Sequence, residues 1–410
     1  MALVLRLSLL VSIILVVEFY FFKKTNATIK NVFPKINSKK RKRVFLSLII
    51  FFNLFAIVGI FFLAYYAITD VRPSFPPDNL LFDLFLQFPF WVFVVYVIQS
   101  VLLFLLIDVF RILLFPFYMK SREKVKRVVS KIQFALLAFF LFYIPARVAY
   151  DYFAVSVRII EFKKASLPVP LDNFKIAFIS DVQADKYTNR DRLGHFIEKV
   201  NGTHPDLVLI AGDVITSTPD YIDLSAEYLG KIKSKYGVYS CIGDHDNWAY
   251  RNDTKRSLRE VESALALKNI AMVDNQKKII SVDSAKVGIT FITNTYVESV
   301  NRNFLDSLTN GKMKADIKIF LTHQPRPFLI NEARNKNYDL FLAGHTHGGQ
   351  LTFLFPFFNL SPTLFETKYV RGDFNFNNML AVVTRGLGMS LVPLRYNSTP
   401  EIIVIVFKSK

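Results

Sequence analysis

Four apolar runs, 2–22, 44–69, 84–107 and 132–153, limit what the first 155 residues can fold into more than any other feature of the chain. Each is long enough to cross a hydrocarbon core, which takes about 20 helical residues. Backbone groups inside a bilayer must bond within their own segment or a closed barrel, so runs of this length predict helices. The first run is broken only by Arg6 and Glu18 and ends in Phe19-Tyr20-Phe21-Phe22, followed by Lys23 and Lys24. A secretory leader would end in small residues at a cleavage site, so this run reads as a retained span.

The loops carry the orientation. Residues 23–43 hold nine basic residues and no acid, and residues 119–131 hold six against the single acid Glu123. Basic loops stay in the cytoplasm. The loop Asp70–Asp83 has three aspartates and one arginine, which suits the other side, and four spans then leave everything after about residue 155 outside the cytoplasm. These blocks hold much of the net charge of +18, so membrane topology explains the basic character and no nucleic acid partner is expected. Asp108 with Arg111, and Arg147 with Asp151, sit near span ends, where paired, snorkelling side chains are expected rather than a transport path. The single cysteine, Cys241, excludes an internal disulfide and a cysteine-based zinc cage.

After Pro168 and Pro170 short apolar strands alternate with amphipathic helices, the pattern of α/β organisation. Strands over 175–179, 207–210, 238–242, 317–321 and 339–342 each end in acidic, amide or imidazole side chains. These are Asp181 and Gln183, then Asp213, then Asp244, His245 and Asp246, then His323, then His345 and His347. Open α/β sheets bind ligands at the carboxyl ends of their strands. Only six histidines occur in the chain, and four fall in these motifs. Carboxylates with imidazoles and no thiolate suit Mn, Fe, Zn or Mg. Two such ions about 4 Å apart need a bridging carboxylate, and Asp213, on a middle strand, is placed to supply it. His195 and His204 match no motif and read as a helix residue and a loop residue. Arg385 and Arg395 read as phosphate contacts or surface ion pairs. Asp246, Asn247 and Gln350 read as substrate contacts, supports for the ligands, or loop hydrogen bonds.

The order Asp181-x-Gln183, Gly212-Asp213, Gly243-Asp244-His245-Asp246, His323 and Gly344-His345-Thr346-His347-Gly348-Gly349-Gln350 resembles the calcineurin-like metallophosphoesterases, in particular the membrane-attached bacterial branch. The resemblance covers about residues 168–407 and implies a four-layer α/β sandwich, two mixed sheets flanked by helices; together with the four apolar runs it divides the chain into a transmembrane region of four helices over 1–154 and a phosphoesterase domain over 155–410. It implies a phosphatase or phosphodiesterase with two divalent metal ions, in a multi-pass protein of a bacterial inner or plasma membrane. Asp181, Gln183, Asp213 and His347 would hold the first ion; Asp213, Asp244, His323 and His345 would hold the second. His245 would stand beside the scissile bond. Gln183 replaces the family's usual histidine and Asp244 its usual asparagine. An amide oxygen is a weaker donor than imidazole, so the first ion should bind less tightly, with Mn or Mg favoured there, while Asp244 adds charge at the second.

Two classes of function follow. One is a membrane-anchored hydrolase acting by metal-activated water on a phosphoester or pyrophosphate, with a lipid-linked substrate met by the phenylalanine-rich stretch 351–365, which either walls an acyl groove or completes the domain core. The other is a mononuclear or non-catalytic metal-binding sensor or scaffold of the envelope. A cytoplasm-facing nucleotide phosphodiesterase would require the opposite topology.

Overall fold

The computed structural model describes residues 2–69, 76–250, 252–310 and 313–410. The segment 70–75, with Asp70, Arg72 and Pro73 of the acidic loop, lies outside the described residues. The chain forms two compact units, Met1–Ala149 with Phe353–Leu360, and Tyr150–Thr352 with Ser361–Lys410.

In the first unit the apolar runs are helices, as expected, and they run further than the apolar sequence does. Helices cover Ala2–Val32, Ser38–Thr69 and, through a short π-helical turn over Asp83–Gln87, the stretch to Leu113; another covers Arg122–Phe153. Ser38–Thr69, Leu80–Leu113 and Phe115–Phe153 are long and apolar enough to cross a membrane. Lysine and arginine are good helix formers whose stems lie along apolar surface, so the basic segments continue the helices. Phe21, Phe93, Val97, Val101, Phe104 and Leu137 form the core among the first, third and fourth helices. The second contributes no buried residue, although Phe52 stacks on Phe93 at 4.4 Å. Asp108 is paired internally: it accepts from the Tyr20 hydroxyl at 2.8 Å and faces both Lys24 and Arg111. The hairpin Phe353–Leu360 belongs to this unit. Its residue Leu354 exchanges two hydrogen bonds with the buried amide of Gln99, at 2.9 and 2.8 Å, which satisfies backbone groups that an apolar setting would leave costly.

The second unit is built on two six-stranded mixed sheets. The first contains β1 (Ser156–Lys164), β2 (Lys175–Ile179), β3 (Leu207–Ile210), β4 (Val238–Ser240) and β5 (Ile270–Met272), in the order β1, Glu401–Ser409, β2, β3, β4, β5. The second contains β6 (Lys277–Val282), β7 (Ala285–Ile292), β8 (Ile317–Thr322) and β9 (Leu340–Ala343), in the order Gly372–Phe376, Met379–Val383, β9, β8, β7, β6. Strands β2 to β5 pair in parallel, as do β7, β8 and β9, which turns their carboxyl ends to the same edge of each sheet. One core lies between the sheets and includes Phe178, Leu209, Phe291, Leu321, Leu342 and Ile405. A second core packs the first sheet against the helices Arg190–Asn201, Ile222–Leu229 and Thr254–Ala266. A third packs the second sheet against Arg302–Asn310 and Pro327–Asn335. Burial on both faces explains why the central strands read as unbroken apolar runs, and the four layers match the expected sandwich.

Candidate metal centre

The candidate ligands come from the first residues beyond β2, β3, β4, β8 and β9. At these exits the backbone turns sharply: Asp181, Gln183, Asp213, His345 and His347 all have positive φ, between 49° and 70°. That region is sparsely populated by non-glycine residues and costs of order 1–3 kcal/mol per position. Hydrogen bonds from Asp181 N–H to the Gly212 carbonyl (3.0 Å) and from Gln183 N–H to the Asp213 carbonyl (2.9 Å) hold the first two turns together. Gly243 must be glycine because a Cβ there would run into Asp213.

The turns bring Asp181, Gln183, Asp213, Asp244, His323, His345 and His347 together. His323 Nε2 lies 3.4 Å from Asp213 Oδ2 and 3.3 Å from Asp244 Oδ2, while its Nδ1 bonds the Ala211 carbonyl at 2.6 Å. His345 Nδ1 lies 2.9 Å from Asp244 Oδ2. Asp181 accepts from the Ser180 hydroxyl and from the His345 backbone N–H. Two sets of three, Asp244-His323-His345 and Asp181-Asp213-His323, have ligand atoms close enough to share one ion. His347 stands further out, with Nε2 3.6 Å from Asp181 Oδ1.

The donor set fits divalent metal. Gln183 is fully buried, its Nε2 donates to Asp213 Oδ2 at 2.7 Å, and its Oε1 has no partner among the described residues. A buried carbonyl oxygen without a donor is costly, and a hard cation satisfies it. The charges agree. Burial, with Asp213 as a neighbour, pushes the Asp181 carboxyl above its usual range. Burial would raise Asp213 too, yet His323 and His245 hold it below the ordinary value. Burial opposes protonation of His323 and His345, but Asp213 and Asp244 raise the first well above its ordinary value, and Asp244 with Glu366 raises the second to about 9. The carboxylates thus gather positive charge on two imidazoles, the charge that a divalent ion supplies when it displaces those protons.

His347 differs. Burial and Arg395 hold it well below its ordinary value. Arg395 Nη2 lies 3.3 Å from His347 Nδ1; arginine can only donate, so this contact leaves the ring proton on Nε2, the nitrogen nearest Asp181. Ligation through Nε2 requires the other tautomer and the release of that contact.

His245 sits at the edge of the cluster. Its backbone N–H donates to Asp213 Oδ1 (2.8 Å), its Nδ1 bonds the Thr216 carbonyl, its Nε2 is 3.0 Å from the Ser390 hydroxyl, and Trp248 packs edge-on at 4.7 Å. Asp246 accepts from the backbone N–H groups of Asp213, Val214 and Gly243, Asn247 donates to the Gly243 carbonyl at 2.9 Å, and Gln350 bonds the backbone of Ser390, Val392 and Leu394. All three hold loops. Arg395 is neither a phosphate contact nor a surface pair: it is fully buried and donates to the carbonyls of Gly388, Arg385, Ser398 and His347. Arg385 pairs with Glu401 at 2.9 Å. His195 and His204 line a separate cavity beside β1.

Sequence reasoning missed Glu366, Tyr296, Arg326 and Gln324. Glu366 Oε1 is 3.1 Å from His345 Nε2 and takes bonds from the Tyr296 hydroxyl (2.6 Å) and Arg326 (2.5 Å). Burial opposes its ionisation, but these partners hold it down at about 2. Gln324 donates to both oxygens of Asp244, at 3.0 and 2.9 Å. The one signal available was Gln324 following His323 directly.

A family profile described as calcineurin-like phosphoesterase matches residues 174–349. The uncharacterized metallophosphoesterase YkuE of Bacillus subtilis is 28% identical over 256 residues, 60% of this chain and 83% of its own length. An uncharacterized metallophosphoesterase of Campylobacter jejuni is 27% identical over 297 residues, 71% of this chain and 73% of its own. A transmembrane protein with a metallophosphoesterase domain from Danio rerio is 25% identical over 256 residues, 61% of this chain and 56% of its own. Residues 174–349 therefore form a calcineurin-like metallophosphoesterase domain, the domain of a phosphoester hydrolase, which the chain carries behind a set of long apolar helices.

Proposed function

We propose that the protein hydrolyses a phosphoester or pyrophosphate bond of a lipid-linked substrate at a two-metal centre facing away from the cytoplasm. The observation that carries the substrate class is the cavity over the centre. It measures about 290 Å³; Asp213, Asp244, His245, His345 and His347 form one side, with Glu366 and Ser390 beside them, and Trp248, Leu351, Pro362, Leu391 and Val392 supply an apolar wall. A polar end that takes phosphate next to an apolar wall suits an amphiphile. Leu391 is 94% exposed and has a φ of 63°, a strained position for a bulky side chain. Three residues after Gln350 comes the hairpin of the first unit, where Phe357 and Phe358 are exposed. The stretch 351–365 is thus not simply part of a domain core, and its apolar side chains favour a lipid surface.

In this reading Asp213 would be the carboxylate common to both ions. Asp181, Gln183 and His347 would complete one half, and Asp244, His323 and His345 the other. Bound divalent ions supply Lewis acidity toward a phosphoryl oxygen and lower the pKa of a water. His245 has its Nδ1 proton committed to the Thr216 carbonyl, so its Nε2 is the atom that meets the leaving oxygen and, as imidazolium, gives it a proton. Ser390 holds that nitrogen in place. The apolar wall excludes water from the ester.

The His347–Arg395 contact favours a second reading, a mononuclear metal-binding sensor or scaffold of the envelope. One experiment separates them: metal content of the purified full chain, with turnover of aryl phosphate mono- and diesters and of phospholipid in mixed micelles. Hydrolysis with Mn or Mg, faster on lipid than on aryl ester, supports the first reading. One bound ion and no turnover under any divalent cation supports the second. Protease accessibility of the second unit in intact cells tests the orientation.

A further inference from the structure

The first unit contains a cavity of about 210 Å³ between its first and fourth helices, lined by Lys24, Arg111, Arg122 and Lys126 together with polar side chains and no acid. We propose that this cavity binds the phosphate headgroup of an anionic phospholipid at the basic end of the helix bundle.

Charge is the first support. Asp108 faces Lys24 and Arg111, and it is one carboxylate for two cations. Lys126 reaches only the exposed Glu123, at 3.7 Å, a geometry and exposure worth little. Arg122 has no ion-pair partner among the described residues. The cavity therefore carries surplus positive charge from three helices, the first, third and fourth, that like charge would push apart.

Buried polar groups are the second support, and they are independent of the first. Thr28, Ser130 and Gln133 lie in the cavity wall and are each at least 96% buried, less than 5% exposed. The Thr28 hydroxyl donates to Gln133 Oε1 at 2.9 Å and Asn31 donates to the Ser130 hydroxyl at 2.9 Å. Those bonds use the acceptors and leave donors over: Gln133 Nε2 and Arg111 Nε are buried without a hydrogen-bond partner among the described residues. Unmatched donors and surplus cations in one wall need a ligand that accepts hydrogen bonds and carries negative charge. A phosphate does both.

The setting selects the source. The cavity lies where basic segments leave helices long and apolar enough to cross a bilayer, the level at which headgroups lie, and basic pockets between such helices bind anionic headgroups. A phosphodiester bound there offsets one of the two charges of Arg122 and Lys126 and ties the fourth helix to the first.

The test uses the full chain in detergent micelles doped with phosphatidylglycerol, with bound lipid counted by native mass spectrometry. Wild type should keep one phosphatidylglycerol at doping levels where phosphatidylcholine is not kept. Arg122→Gln/Lys126→Gln should weaken retention by roughly 10- to 30-fold, since each basic residue near an anionic headgroup is worth about fivefold. Gln133→Leu, which leaves charge unchanged, should weaken it several-fold. Lys39→Gln/Lys40→Gln removes the same charge outside the cavity and should have no effect. Equal losses in the two double variants, or no selectivity over phosphatidylcholine, would overturn the proposal. So would displacement of the lipid by inorganic phosphate at equal concentration, which would make the site one for the free anion.

Discussion

In the proposed two-metal reading the two halves of the centre would share Asp213, and they differ in charge, support and readiness. Around Asp244, His323 and His345, every ligand is braced from behind: Gln324 holds both oxygens of Asp244, the Ala211 carbonyl fixes His323, and Glu366 faces the far nitrogen of His345. Around Asp181, Gln183 and His347, one donor is a neutral amide and another is an imidazole whose proton Arg395 keeps on the metal-facing side. Braced imidazoles and carboxylates bind ions more tightly than unbraced ones. The second half is thus expected to fill first, and the first half to follow at higher metal concentration.

Asp213→Asn should produce the largest effect because it weakens both halves at once. Activity should fall by about 10³-fold, the scale of losing several kcal/mol of charge stabilisation, and metal content should drop toward zero. Retention of two ions per chain would show that Asp213 is not shared. Glu366→Gln comes next. It keeps the volume and removes the charge behind His345, so affinity of the tighter ion should fall by roughly 10- to 100-fold while the weaker ion is unaffected. Isothermal titration resolving two binding steps would check this, and a change in the weaker step alone would reverse the assignment of the halves. Gln183→His should act the other way, strengthening the weaker step by roughly tenfold with the tighter step unchanged. No change would identify Arg395, rather than Gln183, as the residue that limits the first half.

The asymmetry was only partly legible in the sequence. The candidate ligands could be picked out in the sequence, because each follows an apolar strand and a strand exit fixes where the next side chain points. Gln183 and Asp244 stood out for the same reason. Glu366 and Tyr296 were not readable: they come from loops with no motif, and only the tertiary fold carries them to His345. Arg395 was misread because a sequence shows its charge and not the four carbonyls that accept from it. Among the strands, β1 and Gly372–Phe376 went unassigned: they lie on sheet edges, where one face stays wet and the apolar signal is halved. The helices of the first unit were located by their apolar runs, but they continue past those runs at their basic ends, to Val32 and Leu113 in the first and third and back to Ser38 and Arg122 in the second and fourth, since lysine and arginine extend a helix beyond the hydrocarbon.

The smallest expected effect concerns what supports the weaker half. Glu401 is 1% exposed, accepts from the Arg385 backbone N–H at 3.0 Å, and pairs with Arg385 and with Arg158 at 3.1 Å. Arg385 in turn gives its carbonyl to Arg395, the residue against His347. Burial would raise the Glu401 carboxyl, but the two guanidinium groups hold it below its ordinary value of 4.5. A carboxyl depressed on folding adds stability that is full above the unfolded pKa and is lost as pH falls through the folded one. The second unit should therefore begin to lose stability from this residue as pH falls below about 4.5, with the loss complete only once pH has passed below the folded pKa. Glu401→Gln should start less stable at neutral pH and show a flatter acid limb in thermal melts. If this carboxylate supports only the weaker half, that variant should also loosen the weaker metal step and leave the tighter one unchanged, whereas an equal loss in both would mean that the two halves stand on one common scaffold.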